Sequence, residues 1–323
     1  MKFGWIGIAL ALSVAVPAAA QPNHPAEPHP PGMIGAPAGT GRYPSIAEAR
    51  ADAPGYTIYR PARLPRTRLP LVLWGNGGCF DNGLSASHFL REMASHGYIV
   101  VANGKPRSEY PIADRVDPAG QPPRPASGQP PSPAGPRSDE TSVDGLLSGI
   151  GWAARANADA NSGLYRHIDT GRVAVMGHSC GGLQALAAGA DPRIDTIVVF
   201  DSGVYNRPGS GLSGVHIAKD DLRKLHTPVA YVLGGESDIA YPNGMDDFHS
   251  IEHVPVLVAN QPVGHGGTFR LVNGGDWAKF AVAWLDWQLK DDERAGRWFT
   301  GKVCGLCRGT AWTIARKHFP EKP

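Results

Sequence analysis

Val173-Ala174-Val175-Met176-Gly177-His178-Ser179-Cys180-Gly181-Gly182 is a short apolar run that breaks into Gly-x-Ser-x-Gly, and Leu183-Gln184-Ala185-Leu186-Ala187-Ala188 follows at once. The run reads as a buried strand and the alanine-rich stretch as a helix. That is the setting a nucleophile elbow requires. The serine sits on a sharp strand-to-helix turn, where a side chain at Gly177 or Gly181 would collide with neighbouring backbone. The turn presents the Ser179 hydroxyl at the N-terminus of the new helix, where backbone N–H groups and the dipole favour a developing negative charge. The alternative is a glycine-rich turn with an incidental serine, so the rest of the chain has to decide.

A serine hydroxyl is a poor nucleophile at neutral pH. It needs a base within hydrogen-bond reach, and the base needs an orienting carboxylate. Working outward from the elbow, Leu69–Trp74, Tyr98–Ala102, Asp195–Asp201, Pro228–Leu233 and Val254–Asn260 read as further strands, with an aromatic, alternating run at Tyr56–Tyr59 before them. Helical tracts at Ser87–His96, Ser142–Asn157 and Asp276–Lys290 lie between or after them. Strands alternating with helices imply an α/β protein, its parallel sheet covered on both faces. In such a sheet, functional groups sit on loops past the carboxyl ends of the strands.

Two of those loops carry the missing partners. Leu233-Gly234-Gly235-Glu236-Ser237-Asp238 offers Asp238, and Gln261-Pro262-Val263-Gly264-His265-Gly266-Gly267 offers His265 between glycines that would let a substrate approach. Ser179 is then the nucleophile, His265 the base and Asp238 the acid. Asp201, at the end of the strand after the elbow, is the chief rival acid, and Glu236 lies two residues from Asp238. His178 is expected to pack under the turn, and Asp246 and Asp247 read as an ordinary solvated pair. The oxyanion donors should be the N–H of Cys180 and one from the loop Gly75-Asn76-Gly77-Gly78-Cys79, either Gly78 or Cys79.

Four cysteines are present. Cys79 and Cys180 fall on two loops that must face each other, so they either form a disulfide across the oxyanion hole or remain buried thiols. Cys304-Gly305-Leu306-Cys307 follows the last helix with no strand expected to support it. It reads as a local structural clasp rather than a redox pair.

Together, Gly177-His178-Ser179-Cys180-Gly181-Gly182, Gly75-Asn76-Gly77-Gly78, Gly235-Glu236-Ser237-Asp238 and Gly264-His265-Gly266-Gly267 resemble the α/β-hydrolase superfamily. Within it the chain is most similar to exported bacterial serine esterases of the dienelactone hydrolase, chlorophyllase and polyester-hydrolase group. The resemblance covers Tyr56 to about Leu289. It implies a mainly parallel sheet of about eight strands flanked by helices on both faces, and hydrolysis of carboxylic esters through an acyl-serine intermediate. Serine rather than cysteine at the elbow departs from dienelactone chemistry. The implied substrate is a small-molecule or polymeric ester, with no metal and no organic cofactor. A peptidase, an acyltransferase or a non-catalytic binding protein on the same scaffold are the competing readings.

Composition sets the frame. The chain has 323 residues, 42% hydrophobic and 19% charged, with a net charge of +2, which suits a globular protein with a sizeable core and gives no footprint for nucleic acid. Residues 1–20 read as a secretory signal: a lone Lys2, an apolar segment too short for a comfortable membrane span, then Ala18-Ala19-Ala20. Export to the periplasm or medium, with no stable span after cleavage, is the expectation, and nothing in the pattern sets an oligomeric state. Residues 21–41 hold six prolines and read as a disordered tether, while residues 117–137 form a second proline-rich segment read as an insertion. The remainder, residues 42–323, is expected to form a single domain with a Cys-x-x-Cys tail at residues 291–323.

Overall fold

The apolar runs that flank the elbow become the middle of one sheet. The computed structural model describes Met1 and residues 32–116, 139–207 and 215–319. The strands are β1 (Met33–Ala38), β2 (Ser45–Ala49), β3 (Tyr56–Pro61), β4 (Leu69–Gly75), β5 (Ile99–Asn103), β6 (Ile168–His178), β7 (Thr196–Phe200), β8 (Val229–Leu233), β9 (Val256–Asn260) and β10 (Thr313–Lys317). The helices are α1 (Ser87–Ser95), α2 (Val143–Ala158), α3 (Cys180–Ala188), α4 (Tyr241–Ser250), α5 (Gly275–Lys290) and the single turn α6 (Glu293–Gly296).

The sheet order is β1-β2-β3-β5-β4-β6-β7-β8-β9-β10. From β5 to β9 every neighbouring pair is parallel, and β1, β2, β3 and β10 are added antiparallel at the two edges. Register follows the apolar pattern: Val72 of β4 lies between Val100 of β5 and Ala174 of β6. Successive side chains then point to opposite faces. Val72, Trp74, Ala174 and Met176 pack against Phe89 and Met93 of α1 and Trp277 and Phe280 of α5. Leu71, Leu73, Val173 and Val175 pack against Leu146 and Ile150 of α2 and Leu186 of α3. Both faces are covered, which is why the central strands are apolar throughout.

Three elements correct the expectations. Among the described residues the sheet has ten strands rather than about eight. Met33–Ala38, inside the stretch read as a tether, is an edge strand, and β2 precedes Tyr56–Tyr59, the first run read as a strand. Pro37 is tolerated there because an edge strand needs only one side of its ladder. The register with β2 shifts between Ile34 and Ala38. β2 reads Ser-Ile-Ala-Glu-Ala and carries almost no apolar signal. It is nonetheless buried because Arg60 of β3 donates to Glu48 from Nε and Nη2 at 3.0 and 2.7 Å, and the Ser45 hydroxyl donates to the Arg91 carbonyl at 2.6 Å.

The tail is the third correction. Cys304 and Cys307 are bonded, as the clasp reading requires, but a strand does follow them. β10 pairs with β9, setting Ile314 opposite Ala259. Phe299 packs edge-on against Phe280 and Trp284 at 5.2 and 5.1 Å and so ties the tail to α5. The expected signal at residues 1–20, the tether as far as residue 31 and the insertion at residues 117–137 lie outside the described residues, Met1 excepted. No helix among the described residues is long and apolar enough to cross a membrane.

Candidate active site

β4, β6, β7, β8 and β9 all end at the same edge of the sheet, and the loops that leave them carry Gly75–Cys79, Ser179, Asp201, Asp238 and His265. β6 stops at His178, and Ser179 takes φ 52° and ψ −119° before α3 begins at Cys180. A non-glycine residue in that region stores about 1–3 kcal/mol of strain, held here by the packed strand and helix on either side. A Cβ on Gly177 would overlap the Gly181 carbonyl, and one on Gly181 would overlap the backbone of Gly75. These two glycines let the elbow close against β4.

The three distant loops converge. His265 Nε2 lies 3.0 Å from Ser179 Oγ, and His265 Nδ1 lies 2.6 Å from Asp238 Oδ1. The Asp238 side chain is fully buried, whereas the imidazole of His265 is about one-fifth exposed. Burial by itself would raise the Asp238 carboxyl, but its hydrogen bonds, the one from His265 foremost, outweigh burial and hold the group down at about 2. Asp238 is therefore a carboxylate over the working pH range, and Nδ1 of His265 donates to it. That leaves Nε2 as the acceptor facing the Ser179 hydroxyl.

The rivals fall elsewhere. Glu236 is exposed. Asp201 is fully buried, 3.8 Å from His178 Nε2, and is not the group bound to His265 Nδ1. Asp247 corrects an expectation: it is buried, not solvated. It accepts from Lys219 Nζ at 2.5 Å and from the Val204 N–H at 2.8 Å, while Asp246 pairs with the same lysine from the surface.

No family model matches the chain, and no curated protein does. The site therefore has to be read from its own geometry.

Cys79 and Cys180 are disulfide-bonded, which joins the loop after β4 to the first residue of α3. Of the two loop positions left open as oxyanion donors, Cys79 is fully buried and its N–H donates to the Asn76 carbonyl at 3.1 Å. Gly78 instead lines the same cavity as Ser179 and His265. Asn76 anchors this loop through Nδ2, which donates to the Asn103 and Phe80 carbonyls at 2.7 and 3.1 Å.

His178 has a role beyond packing. Its Nε2 donates to the backbone carbonyl of His265 at 2.7 Å, which fixes the loop that carries the imidazole. Burial and the neighbouring His265 hold the His178 ring down at about 4, so it is neutral. His178, Asp201 and His265 together place ligating atoms within 4.8 Å of one another. The His178 and His265 nitrogens that face this cluster are engaged in the hydrogen bonds above.

Two cavities meet at Ser179. The larger, about 650 Å³, is walled by Trp74, Phe80, Tyr110, Phe269 and Arg270. The smaller, about 60 Å³, reaches Ser179 and His265 from the side of Leu183, Tyr205 and Ile239. Phe269 forms the floor of the larger one, edge-on to Phe89, Trp277 and His178 at 5.0, 5.2 and 5.0 Å. Sequence reading did not find Phe269, Tyr110 or Arg270. They lie in segments without periodicity, and only the tertiary fold brings them to the elbow.

Proposed function

We propose that this chain is a serine hydrolase of the α/β-hydrolase type that cleaves carboxylic esters. The observation that carries the reading is the unbroken hydrogen-bonded line from Ser179 Oγ through His265 to the buried Asp238, at the wall of a cavity. Ser179 Oγ attacks the ester carbonyl carbon as His265 Nε2 takes its proton. The carbonyl oxygen becomes an oxyanion beside the N–H groups of Cys180 and the Gly77–Gly78 turn. Collapse of this intermediate expels the alkoxide, which takes the proton from His265, and leaves an acyl-serine. A water then gives its proton to His265 and attacks the acyl carbon, releasing the acid and restoring Ser179.

The difference in cavity size supports a substrate with unequal halves. The aromatic-walled cavity suits a flat or aromatic group, and the smaller one holds only a few heavy atoms. Two disulfides suit an oxidising compartment, in line with the export expected from the N-terminal sequence.

Labelling with a fluorophosphonate probe tests the reading. Peptide mapping is expected to find the adduct on Ser179, and Ser179→Ala should abolish it. A protein that stays unlabelled, or labels equally well as Ser179→Ala, contradicts the nucleophile. A panel of ester, amide and acyl-acceptor substrates separates the esterase from a peptidase or acyltransferase with the same triad.

A further inference from the structure

Asp201 leaves β7 directly beside the triad, yet the hydrogen bonds described so far give it nothing to do. Its side chain is fully enclosed, and its backbone takes φ 44°, a region that few residue types adopt. Among the described residues, neither of its carboxyl oxygens receives a hydrogen bond from another group, and neither does Oδ2 of Asp238. The Gly234 backbone approaches Asp201 Oδ1 without reaching bonding geometry. His178 Nε2 stands 3.8 Å from Asp201 Oδ2 but gives its hydrogen to the His265 carbonyl.

Three buried acceptors with no donor among them carry a heavy desolvation penalty. Two adjacent carboxylates in such a place cannot both ionise. One proton removes the repulsion between the two carboxylates and, shared between them, satisfies two of the three acceptors. We propose that Asp201 is a neutral carboxylic acid whose O–H donates to Oδ2 of Asp238, making it a positioning residue for the carboxylate that orients His265. The proposal rests on the reading of Ser179, His265 and Asp238 as the triad.

The direction of the proton is set by what surrounds each acid. Asp238 also accepts from His265 Nδ1 and from the Ala240 N–H at 3.1 Å, so it is the member that holds the charge. Asp201 has no such donors. Burial and the Asp238 carboxylate push it well above the usual carboxylate range. The titratable groups facing Asp201 are His178 at the end of β6, Asp238 in the loop after β8 and His265 in the loop after β9. With its second oxygen satisfied by Asp201, Asp238 keeps its first for His265 and cannot swing away from the imidazole.

Two readouts on the full chain test this. In the infrared difference spectrum of wild type minus Asp201→Asn at neutral pH, a carbonyl band of a protonated carboxylic acid is expected, shifting on exchange into D2O. Absence of that band overturns the proposal whatever the assay shows. In the pH profile of p-nitrophenyl acetate hydrolysis, Asp201→Ala removes the donor. It is expected to lower kcat about tenfold with little change in KM, and to move the acid limb to higher pH, because an unsupported Asp238 favours the protonated base. Asp201→Asn restores an uncharged donor and is expected to rescue most of the rate and return the limb to its wild-type position.

A limb that falls by about one pH unit in Asp201→Asn means that a negative charge was lost, and contradicts the proposal. So does an Asp201→Ala profile that matches wild type. If Asp201→Ala does not fold, the infrared band and the Asp201→Asn profile still decide. If wild type does not hydrolyse the ester at all, the triad reading fails, while the infrared band still reports on Asp201 alone.

Discussion

Ser179, His265 and Asp238 were singled out by residue type and loop position before any coordinates, and the structure brings His265 within hydrogen-bond distance of the other two. What the sequence left open was which acid serves the base. Asp238 and Asp201 both lie past the carboxyl ends of strands and both are buried, and only bonding separates them: His265 Nδ1 reaches Asp238 at 2.6 Å. Asp238→Asn is accordingly expected to lower kcat by about 10³–10⁴ with little effect on KM, since the amide reverses the tautomer that His265 needs. Comparable rates for Asp238→Asn and wild type in a steady-state assay would assign the acid wrongly. His178 shows the same limit. Sequence placed it under the turn but gave no sign that it holds the His265 carbonyl. With the ring held down at about 4 by burial and by His265, the folded state binds a proton there less readily than an unfolded chain, whose histidine titrates near 6.5. Stability is therefore present above pH 6.5 and is lost as the pH falls from 6.5 to about 4, by about 3 kcal/mol. Thermal melts of His178→Gln should show a smaller loss of Tm over that range than wild type. An equal loss would place the acid sensitivity elsewhere.

Elements with strong periodicity were legible, and those without it were not. β4, β5, β6, β7, β8 and β9 are apolar because helices cover both their faces, so their signal survives in isolation. β1 and β10 are the edge strands and β2 lies just inside β1; what holds β2 and the tail before β10 in place are partners such as Arg60 and Phe299, which no local pattern reveals. The loop after β4 was legible as a glycine-rich strand-end loop facing the elbow. Its attachment was left as a choice between a disulfide and two thiols, because pairing depends on how closely two loops approach. The bond between Cys79 and Cys180 spans a sequence separation of 101 and constrains the unfolded chain by at most about 4–5 kcal/mol. Its local effect is to hold the Gly77–Gly78 turn against the start of α3. Replacing both cysteines by serine is expected to lower kcat about 10–100-fold and leave KM within a few-fold, because the donors act mainly on the oxyanion. An unchanged kcat in a folded double variant would show that the loop needs no tether.

At the scale of the whole molecule, α/β architecture and a parallel central sheet follow from strand–helix alternation, while the strand count depends on the edges. β10 covers the outer side of β9, and Trp312 and Ile314 pack on the α5 side of the core. A chain ending at Gly309 keeps the Cys304–Cys307 clasp but uncovers the β9 edge. It is expected to lose several degrees of Tm and to associate with rising concentration, as seen by thermal melting and size-exclusion chromatography. A monomeric truncation with wild-type Tm would show that β10 is dispensable. The chemistry itself is tested most directly by rapid mixing of the enzyme with p-nitrophenyl acetate. The triad account predicts a burst of one p-nitrophenolate per protein molecule before slower turnover, with no burst and no turnover above background in Ser179→Ala. Turnover that persists undiminished in Ser179→Ala would contradict it.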